Sequence, residues 1–174
     1  LPVQSGNSRV LELMNRTYDR AWYMDRIEAV RRILPKAAVS SDIITGFCTE
    51  TEEEHQDTLS IIEWARFSMS FMFFYSERPG TLAARKYADD IPEVVKKRRL
   101  DEVIRLQNAV SLELNKEDIG QTFEVLIEGN SRRSDQDFYG RNSQNKVVVF
   151  PKVEGYEPGE YVQVLIRDAT SATL

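Results

Sequence analysis

At about Gly120 the hydrophobic period of the chain changes. Up to that point short apolar runs alternate with stretches whose apolar residues recur every three or four positions; beyond it they recur every second position. A chain carrying both rhythms in that order is neither one helical bundle nor one sandwich. It reads as an α/β part followed by a small all-β part, and 174 residues with 41% hydrophobic composition are enough to bury a core in each.

The α/β part is arranged around Val39 to Glu54. Val39 to Thr45 is a β-branched run ended by Gly46, and the Glu-rich stretch after Thr51 opens a helical pattern, so the unit is strand, loop, helix. Thr51 and Glu54 have capping-box spacing, and three acidic residues in the first turn suit the positive end of the helix dipole. Loops at the carboxyl ends of parallel strands are where α/β proteins hold ligands, and Gly46 lets a ligand approach the backbone. An ordinary βα connection without a ligand has the same pattern.

The segments around this unit repeat its rhythm. Leu1 to Gly6 reads as the tail of a strand whose beginning is missing, and Asn7 or Ser8 caps a helix with Val10, Leu11 and Met14 on one face. A second helix is expected from Asp19 to Leu34, with Trp22, Ile27, Val30 and Ile33 or Leu34 inward and Pro35 as its stop. Glu52 to Arg66 carries Leu59, Ile62 and Ala65 at core spacing. Met69 to Tyr75 is nearly continuous in apolar residues, which predicts a strand buried on both faces, with Phe71, Phe73 and Tyr75 in the core. A short helix ends near Tyr87. Pro92 then starts a long helix from Glu93 to about Leu114, striped by Val94, Val95, Leu100, Val103, Ile104, Leu106 and Val110. The strand ends near Gln4, Gly46 and Tyr75 should be parallel neighbours. After Gly120, the runs at Phe123 to Ile127, Phe138-Tyr139, Val147 to Phe150 and Tyr161 to Ile166, set between Gly and Pro turns, make a small β-barrel.

Composition excludes several classes. A net charge of -5 argues against a generic polyanion binder, although a local basic face fits within an acidic average. The single cysteine, Cys48, rules out an internal disulfide framework or a cysteine-built metal site and fits a reducing cytosol. No apolar run is long enough to span a bilayer. His55, on the polar first turns of its helix, is expected to be solvated, and Lys96 to Arg99 is expected to be a charged helix face with i to i+4 partners.

Three ordered segments then carry a resemblance: Leu1 to Asn7 with Met14 to Tyr18, Ser41 to Phe47 with Glu50 to Glu53, and Phe74 to Ala83. They resemble the second half of the barrel of radical S-adenosylmethionine (radical-SAM) methylthiotransferases, and the segment after Gly120 resembles the TRAM domain, a small RNA-binding β-barrel. Glu128 to Ser131, Gly140 to Asn142 and Asn145 to Phe150 are similar to the tRNA-modifying branch, less so to the branch that modifies an aspartate of a ribosomal protein.

The resemblance implies the C-terminal half of a radical-SAM partial TIM barrel with a linking helix over 1–114 and a TRAM domain over 115–174. It implies an enzyme that inserts sulfur at C2 of an isopentenylated adenosine beside the tRNA anticodon and methylates it. One S-adenosylmethionine gives the methyl group; another is cleaved at a four-iron four-sulfur cluster to give the radical that attacks the C–H bond. The family's CxxxCxxC loop is not in this sequence, and Cys48 stands where the family usually has Pro. The cluster ligands are therefore expected outside this chain, no catalytic or metal-binding residue is expected within it, and by itself it should be inactive. The resemblance further implies a tRNA anticodon stem-loop as partner, no membrane, a cytoplasmic location and a monomeric full-length form. An RNA-binding module on an α/β scaffold is the alternative from another class.

Carried over residue by residue, the resemblance puts Gln4 and Ser5 towards the ribose of S-adenosylmethionine, Ile44 and Gly46 at its adenine, and Arg16 at its methionine carboxylate. Asp42 stands on the same strand where the family pattern has Gly. Tyr75, Ser76 and Arg78 lie on the substrate side, although Arg78 could equally clamp its own loop. In the β-barrel, Arg132, Arg133, Arg141 and Lys146 are expected to meet phosphates, and Tyr139, Asn142 and Asn145 bases or sugars. Glu124, Glu128, Asp135 and Asp137 offset that charge.

Overall fold

The structure, a computed structural model, describes residues 1–174, which form two compact units, Leu1–Gln107 and Asn108–Leu174. In the first, Asn7 caps α1 (Ser8–Leu13) by accepting the Arg9 and Val10 N–H groups, and Asp19 caps α2 (Arg20–Ile33). Strand β1 (Ser40–Thr45) leads into α3 (Glu52–Ala65), β2 (Met69–Phe74), the short α4 (Leu82–Lys86) and α5 (Glu93–Lys116). The capping box of α3 is present: Glu54 N–H donates to Thr51 Oγ1 at 3.3 Å, and Thr51 N–H donates to the Glu54 carboxylate at 2.8 Å. Such a reciprocal pair satisfies two donors that the first turn of a helix otherwise leaves open.

The parallel order expected from the sequence is present. β1 pairs with β2 in parallel, Ser40 opposite Met69 through Thr45 opposite Phe74, and Gln4 makes a parallel bridge to Ile43 on the other side of β1. Strand alternation puts Ser41, Ile43 and Thr45 on one face with Ser70 and Met72. That face holds the core, in which Val3, Tyr23, Ile27, Ile43, Ile61, Ile62, Ala65, Phe67 and Val103 cluster. On the α5 side, Ser70 Oγ donates to Gln107 Oε1 and Gln107 Nε2 to the Phe67 carbonyl.

Several burial expectations fail here. Phe71 and Phe73 are each 55% exposed, so β2 is not buried on both faces. The near-continuous apolar run has another reason: β2 has a neighbour on one side only, and its second face, shared with Asp42 and Ile44, lacks a covering layer in this unit. Trp22, Ile33 and Leu34 are exposed, while Tyr23 and Ile27 take the inward positions of α2. The Tyr23 hydroxyl sets that rotation by donating to the Leu1 carbonyl at 2.7 Å. Val94 is exposed as well, because the buried face of α5 runs through Lys96, Arg99, Val103, Gln107 and Val110. His55 is not solvated but wholly buried.

The second unit is a four-stranded antiparallel sheet of β3 (Thr122–Asn130), β4 (Asp137–Asn142), β5 (Val147–Pro151) and β6 (Tyr161–Leu165), in the order β5-β4-β3-β6. The alternation read from the sequence works as expected: Val125, Ile127, Phe138, Val148, Phe150 and Ile166 make the core together with Leu174. Gly140 lets β4 lie tightly on β3, since a Cβ there would sit 2.2 Å from the Leu126 carbonyl oxygen. The end strands β5 and β6 do not pair with each other. Between them lies a groove of about 590 Å³ lined by Val148, Phe150, Val162, Val164 and the C-terminal residues.

Candidate functional site

Three parallel strand ends share one edge of the first unit, because Ile44 N–H donates to the Gln4 carbonyl and Tyr75 N–H to the Thr45 carbonyl, each at 2.8 Å. At this edge Gln4 is buried with φ at 66°, and Ser5 is buried against α3, its Oγ 3.4 Å from Thr58 Oγ1 and accepting the Asn7 N–H at 3.2 Å. Asp42 and Ile44 are half-buried on the bare sheet face, together with Phe71 and Phe73. Arg16 is exposed in the turn after α1. Ser76 and Arg78 are exposed beyond β2, and it is the Arg78 carbonyl, accepting from Thr81, that shapes this loop. The structure thus brings Asp42 and Ile44 together on one face and sets Gln4, Gly46 and Tyr75 along its edge.

The edge is held from behind by pairings that the residue patterns did not show, two of them made by Lys96 and Arg99, which are buried and not part of a solvated helix face. Glu50 is buried, and its Oε2 accepts the Gly46 N–H at 2.7 Å and Arg99 Nη1 at 2.8 Å. Burial pushes its carboxyl upward against the opposing pull of that N–H and of Arg99. Arg9 forks onto the Glu54 carboxylate and also donates to the Thr49 carbonyl, and this pairing holds Glu54 below the usual carboxylate range. Lys96 Nζ donates to the Tyr75 carbonyl at 3.1 Å and lies 5.1 Å from the Tyr75 ring centroid. Spacing alone could have exposed this: Lys96, Arg99, Val103, Gln107 and Val110 fall on one helical face, which an apolar-stripe criterion discards at its two charged members.

The titratable groups of the edge are poor reactants. Burial pushes the Tyr75 hydroxyl up to about 12, so it stays a neutral phenol at neutral pH. Burial likewise pushes the Cys48 thiol up, which favours the thiol over the thiolate a metal requires. Glu52, His55 and Glu102 come within metal-ligand distance of one another. Their charges are already matched, since Arg98 bonds both Glu52 and Glu102, and His55 Nε2 is 2.8 Å from Glu102. Burial lowers the His55 pKa, with Glu102 opposing it.

In the second unit the residues expected to meet RNA separate into two groups. Arg132 and Arg133 are exposed in the β3–β4 connection, and Tyr139 is half-exposed on β4. The other four build the β4–β5 turn. Asn142 Oδ1 accepts the Gln144 and Lys146 N–H groups, each at 3.0 Å, and Arg141 Nη1 donates to the Asn145 carbonyl at 3.0 Å. Asn145 takes a positive φ of 61°, and Lys146 Nζ pairs at 2.6 Å with Asp118, both side chains nearly buried.

Comparison with known proteins adds the following. The TRAM domain family matches residues 116–174, which with the antiparallel sheet fits a small β-barrel. The whole chain is 62% identical over 175 residues to the tRNA-2-methylthio-N(6)-dimethylallyladenosine synthase of Amoebophilus asiaticus, covering 36% of that protein. The proteins of the same name from Porphyromonas gingivalis and Bacteroides fragilis are 56% and 51% identical over the whole chain, which covers 37% and 38% of them. The chain thus spans a little over a third of the length of the curated relatives it matches.

Proposed function

Because the chain belongs to the tRNA-2-methylthio-N(6)-dimethylallyladenosine synthase family, we propose that it is part of a radical-SAM tRNA methylthiotransferase. In this reading residues 1–114 are the C-terminal part of the catalytic barrel with its linking helix, and 115–174 are an RNA-binding TRAM domain. The substrate is N6-isopentenyladenosine beside the anticodon, and the protein works in the cytoplasm on a tRNA anticodon stem-loop. The observation that carries the reading is the bare face of β1 and β2. Asp42, Ile44, Phe71 and Phe73 lie opposite the helices, where the interior of a (β/α) barrel would be, and an apolar surface of this kind is costly to leave in water.

The residues fit S-adenosylmethionine. Ile44 and the backbone at Gly46 would hold its adenine, Gln4 its ribose side and Arg16 its carboxylate, while Tyr75, Ser76 and Arg78 face the substrate; Ser5, wholly buried with its hydroxyl on Thr58 and the Asn7 N–H, would act on the ribose side through its backbone alone. Bound there, S-adenosylmethionine supplies the methyl group and, together with a cluster, the oxidising power to open a C–H bond. The chain does not fit a four-iron four-sulfur cluster. Its lone cysteine is buried and held as a thiol, so cluster ligation belongs to other parts of the longer protein. What this chain contributes is an apolar wall that excludes water, an ordered edge that orients the nucleoside, and arginines that meet phosphates.

The test is mass spectrometry of an isopentenylated anticodon stem-loop incubated with the cluster-loaded full-length protein, reductant, a sulfur source and S-adenosylmethionine. A methylthio group on the isopentenylated adenosine is expected. RNA that binds but remains unmodified would leave only a binding module, and modification of a ribosomal protein instead would move the chain to the other branch.

A further inference from the structure

The connection from β2 to α5 carries three basic and three acidic residues, so its sequence is electrically neutral. The fold uses the two signs differently. Asp90 Oδ1 accepts the Thr49 N–H at 2.7 Å and Asp89 accepts from Lys96 Nζ, which commits two of the acids to the body of the unit. Tyr87 anchors the same segment, its ring edge-on to Phe47 at 6.3 Å, and Ala83 packs on the same cluster. The basic residues are left over. Arg78, Arg85 and Lys86 are all exposed, and none has a carboxylate partner. Arg85 reaches only its own turn, through Nε to the Thr81 carbonyl at 3.4 Å. The backbone that carries them is nonetheless fixed, because Thr81 Oγ1 accepts the Ala84 N–H at 3.3 Å and donates to the Arg78 carbonyl at 2.8 Å. Cations without a counter-charge on their own surface keep their attraction for a polyanion from outside. Arg85 and Lys86 also suit the negative end of the α4 dipole. A five-residue helix has little dipole to complement, and Arg78 stands before its start, where a cation is disfavoured.

We propose that this connection is a further RNA-binding surface, on which Arg85 and Lys86, with Arg78, meet phosphates of the RNA. This rests on the reading of the chain as part of a tRNA-modifying enzyme, and goes beyond it by placing RNA contacts on the α/β unit as well as on the TRAM domain. The connection leaves the carboxyl end of β2, the same edge that holds Gln4 and Gly46. Phosphate contacts position a nucleic acid without reading its bases. The surface therefore holds the strand at the edge and takes no part in choosing the nucleoside.

The test is filter binding of the full-length protein to an anticodon stem-loop over a range of salt concentrations, without reductant, so that binding alone is read. Arg85→Gln with Lys86→Gln should flatten the slope of log affinity against log salt by about 1.4, at about 0.7 for each single-strand phosphate no longer neutralised. The loss should be the same for an isopentenylated and a plain stem-loop, because phosphates carry no base information. Exchanging the two side chains, Arg85→Lys with Lys86→Arg, keeps both charges and should keep the slope. The unfolding midpoint of the Gln variant should stay within about 2 °C of the native protein, as for other surface substitutions. An unchanged slope overturns the proposal, and with a lowered midpoint it assigns the two residues to the end of α4 instead. A loss confined to the isopentenylated stem-loop overturns it equally, since the contacts would then be to the base. If Arg132→Ala with Arg133→Ala flattens the slope and the Gln variant does not, the tRNA reading stands and this surface falls. If the native protein shows no salt-dependent binding to the stem-loop, the tRNA reading falls and takes the surface with it.

Discussion

The two units use their basic residues in opposite directions. At the edge of the first where the strand ends meet, Arg9, Lys96 and Arg99 all turn inward, onto Glu54, the Tyr75 carbonyl and Glu50. In the second, Lys146 is committed to Asp118, but Arg132 and Arg133 stand exposed. A cation with a buried partner is part of the framework, and its removal should be felt as stability. A cation in solvent is available to a polyanion, and its removal should be felt as binding. A run of basic residues in a sequence does not separate these roles; burial does.

The largest expected effect lies in the first unit. Arg99→Met leaves the Glu50 carboxylate buried without its partner and should cost about 3–5 kcal/mol in urea unfolding, with much of the loss recovered by adding Glu50→Leu. A loss below about 1 kcal/mol would mean that Arg99 belongs with the solvent-facing cations after all. Next comes Lys146→Met, which strands Asp118 and should cost about 1–3 kcal/mol without being an RNA-contact mutation in the ordinary sense. The matching experiment is Arg132→Ala with Arg133→Ala. Stability should stay within about 0.5 kcal/mol, while the salt dependence of filter binding to an anticodon stem-loop should flatten. On single-stranded RNA the slope should change by about 0.7 for each phosphate that is no longer neutralised. If the slope is unchanged, these arginines only solvate the sheet.

A smaller effect separates the units by pH. The folded His55 pKa lies below the ordinary 6.5, so the unfolded chain takes up the proton first. The stability that His55 contributes is complete above pH 6.5 and is lost as pH falls from there through the folded value. The groups facing it on α3 and α5 are Glu52, Arg99 and Glu102, with Arg98 bridging the two carboxylates. His55→Gln should flatten the decline in stability measured between pH 7 and pH 5.5, and an equally steep decline in the variant would assign it elsewhere. Smallest of all should be Arg98→Ala. Arg98 bonds Glu52 and Glu102 but is exposed, and pairs of that kind contribute roughly 0–1 kcal/mol.

What could be read in the sequence was local. The Thr51 and Glu54 box, a cap at Asn7 or Ser8 and the start of α2 near Asp19 follow from residues a few positions apart, and the parallel order of the strand ends near Gln4, Gly46 and Tyr75 follows from the repeated strand–helix rhythm. What could not be read depends on partners far along the chain. His55 is buried because Glu102, 47 residues away, meets its ring, and Arg99 is buried because Glu50, 49 residues away, receives it. Phe71 and Phe73 misled in another way. An apolar strand is read as buried on both faces, but the sequence does not say whether the layer for the second face lies within the same stretch of chain. Among the residues expected to meet RNA, Asn142 and Asn145 are needed by their own turn, which uses the Asn142 side-chain oxygen and the left-handed backbone at Asn145.

The methylene stem of Lys96 occupies the space beside Gly46: a Cβ at position 46 would come within 2.5 Å of Lys96 Cγ. The two positions therefore compete for one volume, and over evolutionary time they should drift as a couple. With φ at 66°, position 46 could become Asn or Asp, the side chains most tolerant of that backbone, only in lineages where residue 96 has first become short. Shortening residue 96 withdraws the ammonium from the Tyr75 carbonyl, so the same step loosens the end of β2. A substitution at one strand end is thereby felt at its neighbour, and the order of the two replacements is constrained even though neither residue is adjacent to the other in sequence.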